Sequence, residues 1–150
     1  MNQDLTLREL SDRAHISDLL ARYCRAIDTR DYDLLDTCFT QDCVIDLSEL
    51  NGPVDKYPQV RAWLQQSLQA LHAMQHSISN MEFEIDGNDA NVSTMFINTN
   101  VMKKPDGTDL VFTVGGFYHD KVQKTAEGWK IVYRYETQCY FVGDNPNALA

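Results

Sequence analysis

Hydrophobic residues recur every three or four positions through the first half of the chain, a spacing that predicts amphipathic helices. Thr6 and Glu9 have the spacing of a capping box, which marks a helix start. The apolar positions that follow predict one long helix that ends at about Asp28. The other elements predicted in this half are a short helix over residues 29–37, a strand over residues 43–47, a loop over residues 48–58 and a helix from Pro58 to about residue 71.

The second half of the chain changes to a hydrophobic spacing of two, which predicts β-strands. Asp86-Gly87-Asn88 and Pro105-Asp106-Gly107 are turn sequences, so the strands they join are expected to be antiparallel. The predicted strands cover residues 77–85, 90–102, 110–124 and 129–141.

Helices followed by a run of long strands define the α+β class. We expect the helices to pack in the concave face of a strongly curved, mostly antiparallel sheet, with a cavity at its wide end. Residues 1–150 are expected to form a single domain with a polar tail from about residue 143.

The charge of the chain narrows the classes of partner. Its 22 acidic and 13 basic residues give a net charge of −9, which disfavours binding to nucleic acid or to an anionic membrane. The N-terminal segment is polar and of mixed charge, unlike a secretory signal. The four cysteines are scattered without a C-x-x-C pair and are expected to be reduced. We therefore expect a cytoplasmic protein.

Two residues suggest chemistry because of where they fall on the predicted elements. Asp28 closes the apolar face of the long helix, and His76 lies where the third helix gives way to the sheet. A carboxylate beside one imidazole nitrogen fixes the tautomer and makes the other nitrogen a better base. Such a His–Asp dyad can take a proton from a carbon next to a carbonyl or a leaving group.

Three segments resemble the SnoaL-like proteins, which share the cone fold of nuclear transport factor two. Within that group the chain is most similar to scytalone dehydratase and γ-hexachlorocyclohexane dehydrochlorinase. The resemblance extends to about Phe141. The segments are LSDRAHISDLLARYCRAIDTRDYDLLDTCFTQDCVID, MQHSISNMEFEIDGNDANVST and GGFYHDKVQKTAEGWKIVYR.

The resemblance implies three catalytic residues. Both enzymes have an Asp at the end of the first helix and a His that opens the next long strand, and these match Asp28 in IDTRD and His76 in QHSISN. The dehydrochlorinase also has a pocket Arg on its final strand, which matches Arg134 in WKIVYR. From the residues alone, Arg134 could equally be a surface residue of a half-exposed strand.

The chain differs from scytalone dehydratase at the positions that, in that enzyme, hold a water that assists the reaction. Ile27 and Leu47 stand where that enzyme has tyrosines, and Asn100 or a neighbour replaces a second pocket His. Tyr118 falls near the position of a pocket Asn. The expected pocket, which includes Tyr23, is therefore drier and closer to that of the dehydrochlorinase.

The remaining histidines offer weaker hypotheses. His72 and His76 have the four-residue spacing of helical metal ligands, but no Glu accompanies them and the helix is expected to end there. Metal is therefore not expected at this site. His119 alternates with Tyr118, so it points outward if Tyr118 points inward.

Together these residues predict a small-molecule lyase, of the dehydratase or dehydrohalogenase kind, that needs no cofactor and acts on a hydrophobic substrate. His76 is the predicted base, Asp28 orients it, and Arg134 or Tyr118 polarises the leaving group or carbonyl. The alternatives are a non-catalytic binding or accessory protein of the same fold and an isomerase of the ketosteroid type. Strands with apolar residues on both faces predict self-association as a dimer or trimer.

Overall fold

The helices of the protein precede its long strands, as the hydrophobic spacing predicts. The computed structural model describes residues 4–149. Its helices are α1 (Leu7–Thr29), α2 (Tyr32–Asp36) and α3 (Tyr57–Ser67), with short 3₁₀ turns at Ser48–Leu50, Leu68–Ala70 and Pro146–Leu149. Its strands are β1 (Phe39–Asp46), β2 (Val54–Lys56), β3 (Ala73–Asp86), β4 (Asp89–Lys103), β5 (Asp109–Thr125) and β6 (Gly128–Gly143).

The predicted capping box starts α1. The Thr6 hydroxyl accepts a hydrogen bond from the backbone of Glu9, and the Glu9 carboxylate accepts one from the backbone of Thr6. These bonds satisfy two backbone donors that a helix start leaves free. At the other end, Arg30 adopts a left-handed conformation with φ of 56° and closes the helix.

All six strands form one sheet in the order β2-β1-β6-β5-β4-β3. The four long strands pair with their chain neighbours in antiparallel fashion. Strand β1 instead lies parallel to β6, with Ile45 opposite Arg134. The fold class is thus confirmed as α+β with a mostly antiparallel sheet.

Bulges bend the sheet around the helices. The register shifts between Ser79 and Glu82 on β3, and again between Gly115 and Gly116 on β5. A bulge adds one residue to one strand, which kinks that strand and increases its twist. At Gly116 a Cβ atom would lie 1.8 Å from the carbonyl oxygen of Thr137, so only glycine allows the two strands to approach this closely.

The core lies between α1 and the concave face. Ile16, Leu19, Leu20 and Ile27 are at most 3% exposed and pack in one cluster with Val92, Phe96 and Val122 of the sheet. The helices do not fill the wide end of the curved sheet, and a cavity lies there.

The structure differs from the prediction at three element boundaries. The predicted loop contains β2, which pairs with β1 through Val44 and Lys56. All three residues of β2 are exposed, so no alternation of polar and apolar residues reveals it. Strand β1 starts at Phe39 and β3 at Ala73, each four residues earlier than predicted, because Phe39 pairs with Ile131 of β6 and Ala73 pairs with Val101 of β4.

Candidate active site

A cavity of about 490 Å³ occupies the wide end of the curved sheet. Most of its wall is apolar, with side chains from α1, β1, α3 and the long strands. The residues predicted to line a pocket are found there, except Tyr118; they are Tyr23, Ile27, Leu47, His76, Asn100 and Arg134. Asn145 to Asn147, in the predicted polar tail, also contribute to the wall.

Asp28 and His76 are in direct contact at the edge of this cavity. The Nδ1 atom of His76 lies 2.6 Å from Oδ1 of Asp28. The same carboxylate accepts two hydrogen bonds from the backbone nitrogen of His76, at 3.1 and 2.9 Å. With the carboxylate on Nδ1, that nitrogen carries the proton and Nε2 is free to accept one. The His76 side chain is 7% exposed and that of Asp28 is 19% exposed.

The end of α1 is anchored so that Asp28 faces β3. Arg30, two residues after Asp28, donates hydrogen bonds to the carbonyl oxygens of Leu68 and Leu71, at 3.2 and 2.5 Å. Both carbonyls lie in the segment that leads into β3. The backbone nitrogen of His72 donates to the carbonyl oxygen of Val101, which extends the pairing of β3 with β4. The bonds from Arg30 and the bonds between Asp28 and His76 therefore hold the helix end against the start of β3.

The pleat of the sheet turns His76 towards the cavity. His76 lies opposite Asn98 of β4, which lies opposite Val114 of β5, which lies opposite Phe141 of β6. Cross-strand partners point to the same face of a sheet. All four side chains line the cavity, and the Asn98 side-chain oxygen has no hydrogen-bond partner among the described residues.

Arg134 forms the floor of the cavity and is completely buried. Its Nε and Nη2 atoms donate to the two oxygens of Asp120, both at 2.7 Å. The guanidinium carbon lies 4.1 Å from the ring centroids of both Tyr23 and Tyr118. Nη1 has no hydrogen-bond partner among the described residues. Arg134 is therefore not a surface residue, and one of its donors is unused.

Tyr118 does not line the cavity, which corrects the prediction of a substrate-pocket role. It is only 1% exposed, because one face of its ring stacks on Phe96 with centroids 4.4 Å apart and Arg134 and Tyr23 cover the rest. Burial raises the pKa of its hydroxyl well above the ordinary value of 10. Tyr118 therefore packs behind the floor rather than facing a ligand.

Glu136 is a cavity residue that was not predicted from the sequence. It lies on β6 two residues after Arg134 and points to the same face. Its side chain is 9% exposed, and its Oε1 atom lies 3.8 Å from Nη1 of Arg134. Burial raises the pKa of its carboxyl to about 7. Alternation along β6 could have indicated it, because a residue two positions after Arg134 points to the same face of the sheet.

The other histidines lie elsewhere. His119 is exposed on the outer face of the sheet, while Tyr118 points inward, as the alternation predicts. His72 is also exposed. Within residues 4–149 there is no group of three or more His, Cys, Asp or Glu side chains placed to hold a metal ion. No helix in that range is long and apolar enough to cross a membrane.

A bent sheet around leading helices, with one cavity at its open end, defines the cone fold of nuclear transport factor two. Residues 8–135 match the SnoaL-like domain. An uncharacterised protein of Mycobacterium tuberculosis strain H37Rv is 37% identical over 136 residues, which are 91% of each chain. The chain belongs to the SnoaL-like family, and the resemblance stated from its sequence is confirmed.

Solved structures of lower sequence identity share this fold. A candidate scytalone dehydratase from Novosphingobium aromaticivorans superposes with a TM-score of 0.80 at 19% identity, over 94% of this chain and 96% of that chain. A hexachlorocyclohexane dehydrochlorinase from Novosphingobium barchaimii gives a TM-score of 0.75 at 17% identity, over 91% and 92% of the two chains.

Proposed function

We propose that this protein is a cofactor-independent lyase that removes a proton from carbon and expels a leaving group from a small hydrophobic substrate. The observation that carries this proposal is the 2.6 Å contact between His76 Nδ1 and Asp28 Oδ1 at the edge of an apolar cavity. That contact leaves Nε2 as the basic atom of the imidazole. The names of the two enzymes that share the fold, a dehydratase and a dehydrochlorinase, both denote eliminations.

The proposed roles follow from the contacts. His76 takes the proton on Nε2 and becomes an imidazolium, which the Asp28 carboxylate stabilises through Nδ1. The free Nη1 of Arg134 is the donor that would meet negative charge on a substrate carbonyl oxygen as the carbon loses its proton. The apolar wall favours a substrate with a hydrocarbon body and few polar groups.

Replacing the dyad tests the function. His76→Gln should lower turnover by about 10²–10⁴-fold because it removes the positioned base. Asp28→Asn should lower it by a comparable factor, because an amide cannot stabilise the imidazolium. The measurement is elimination from a panel of small cyclic hydroxy-ketones and halogenated rings, together with deuterium exchange at their acidic carbons. Exchange also detects an isomerase, which returns the proton to another carbon.

The control is His119→Gln, which alters an exposed histidine on the outer face of the sheet and should leave both rates unchanged. If a ligand binds in the cavity but its acidic carbon shows no His76-dependent exchange from about pH 6 to pH 9, the lyase proposal fails. The protein would then be a binding or accessory protein of the same fold.

We also propose that the protein self-associates through the outer face of the sheet. Ile97, Val111, Tyr140 and Val142 are 40–54% exposed there. They lie on three adjacent strands, with Ile97 opposite Gly115 and Gly115 opposite Tyr140. A contiguous apolar area of this kind is typical of a surface that another protein copy covers.

A further inference from the structure

We infer that Glu136 is a second proton-transfer group of the cavity and donates a proton to the oxygen that leaves the substrate. The reaction is then loss of water rather than loss of halide. This inference rests on the proposed function, since it adds an acid to the base that His76 supplies. It names the class of substrate, a carbonyl compound with a hydroxyl group on the carbon next to the acidic one.

The charges around Glu136 do not balance. Within residues 4–149 Arg134 is the one cation that acts on Glu136, and Asp120 already holds it through two hydrogen bonds of 2.7 Å. Glu136 lies 3.8 Å from the remaining guanidinium nitrogen, which is beyond hydrogen-bond distance. Among residues 4–149 no side chain donates a hydrogen bond to Glu136. Two carboxylates would therefore share one guanidinium, and the one without hydrogen bonds is the one that keeps a proton.

Two charged side chains act on Glu136 in opposite directions: Arg134 favours the carboxylate, and Asp120 favours the protonated form. Burial is the main cause that raises the carboxyl pKa to about 7, Arg134 lowers it, and the Asp120 carboxylate raises it further. The neighbouring groups on α1 and β5 are uncharged at neutral pH, because burial raises the pKa of each. They are Tyr23, Cys24 and Tyr118.

Glu136 and His76 reach the same cavity from different strands. His76 is on β3 and Glu136 on β6, with β4 and β5 between them, and both line the cavity wall. The small exposed fraction of the Glu136 carboxyl therefore opens on the space where a ligand would sit. A base and an acid on separate walls can act on two neighbouring carbons of one substrate.

The step balances without any further reactant. His76 Nε2 takes the proton from the acidic carbon, and the electron pair of that C–H bond forms the new C=C bond. The C–O bond on the neighbouring carbon breaks, and its electron pair stays on oxygen. That oxygen takes the proton of Glu136 and leaves as water. The imidazolium of His76 then loses its proton to solvent, and the Glu136 carboxylate regains one.

The choice of leaving group follows from this chemistry. Hydroxide is a poor leaving group, and a positioned acid typically accelerates its departure by about 10²–10⁴-fold. Chloride leaves as a stable anion and takes no proton. A protonated carboxyl beside the leaving group therefore serves a hydroxyl substrate and adds nothing for a halide.

The test compares two substrates that share the acidic carbon and differ only in a hydroxyl or a chloride on the next carbon. Glu136→Gln should lower water loss by about 10²–10⁴-fold more than it lowers chloride loss or deuterium exchange at the acidic carbon. His76→Gln should lower all three by about 10²–10⁴-fold. Glu84→Gln, an exposed Glu on β3, is the matched control and should change none of them.

The pH dependence gives a second readout. Water loss should fall as pH rises through about 7, because Glu136 must be protonated to act, and chloride loss should not show this fall. The wild-type protein should also have an infrared carboxylic-acid band near neutral pH that Glu136→Gln removes and Glu84→Gln keeps. This band requires no turnover and no active variant.

Three results separate the two proposals. If wild-type protein catalyses His76-dependent exchange but Glu136→Gln slows water loss and chloride loss equally, the acid role is wrong and the lyase proposal stands. The acid role is equally wrong if the infrared band is missing at pH 6. If the band is present but no carbon acid exchanges in a His76-dependent manner, the lyase proposal fails and takes the acid role with it.

Discussion

Arg134 carries its charge where water does not reach. Its guanidinium is held between the rings of Tyr23 and Tyr118 and by the carboxylate of Asp120. The planar, forked guanidinium fits both kinds of contact, and an ammonium group would fit neither well. Because burial of a charge is unfavourable unless it is paired, the stability of the fold and the proposed chemistry of the cavity depend on the same side chain.

Truncation of Arg134 should therefore damage folding as well as turnover. Arg134→Ala leaves the buried Asp120 carboxylate without its partner, and breaking such a pair lowers the free energy of unfolding by about 3–5 kcal/mol. Urea denaturation followed by circular dichroism measures the loss. Arg134→Met with Asp120→Leu removes both charges and should recover most of it. Equal losses in the single and double variants would show that packing, not charge, determines the effect.

The residues of the site differ in how far the sequence reveals them. Asp28 and His76 fall at the ends of predicted elements, and the resemblance to known enzymes singles them out. For Glu136, alternation along β6 gives only the face it shares with Arg134, while the shortage of positive charge around it arises from Asp120 on another strand. Tyr118 was wrongly predicted to line the pocket for a related reason. Alternation shows which face of the sheet a residue lies on but not which side chains cover it.

At the scale of elements, Asp12 joins α1 to the turn between β5 and β6. Its side chain is 2% exposed. One carboxylate oxygen accepts hydrogen bonds from Lys124 Nζ at 2.8 Å and from the indole nitrogen of Trp129 at 3.1 Å. The bond from Lys124 is the main cause that lowers the pKa of this carboxyl. The contact holds the first half of α1 on the narrow end of the sheet.

Asp12→Ala should lower the free energy of unfolding by roughly 1–3 kcal/mol, because it leaves the buried Trp129 donor without an acceptor. Asp18→Ala changes an exposed carboxylate on the same helix and is the control. Since the folded-state pKa of Asp12 is lowered, the difference from wild type should shrink as pH falls below the ordinary value of 3.8. Thermal unfolding at several pH values measures it, and a difference that grows in acid would contradict this account.

The long elements were predictable because each buries one face along its whole length. Helix α1 and strands β4, β5 and β6 lie within three residues of their predicted bounds. Strand β2 escaped prediction because it is held by pairing with β1 alone and buries none of its side chains. Its existence depends on the position of a distant strand, which local hydrophobic spacing does not record.

At the scale of the whole molecule, the apolar outer face bears on assembly. If another copy covers it, a charge placed within it should separate the copies. Ile97→Lys should shift the protein from dimer or trimer to monomer in sedimentation velocity at micromolar concentration, since an unpaired lysine is unfavourable in a buried interface. Gln66→Glu on the exposed side of α3 should have no effect. A wild-type protein that sediments only as monomer would contradict the proposal.

The parallel pairing of β1 with β6 has a consequence for how the chain folds. Val44 lies opposite Tyr133, so the first strand finds its place only when the last one has formed. Contacts between residues so far apart require closure of a long loop and slow the search for the native state. On a ribosome, the hairpins of β3, β4 and β5 can assemble while β6 is still being synthesised. The wall that β1 contributes to the cavity therefore cannot be completed before β6 has been synthesised.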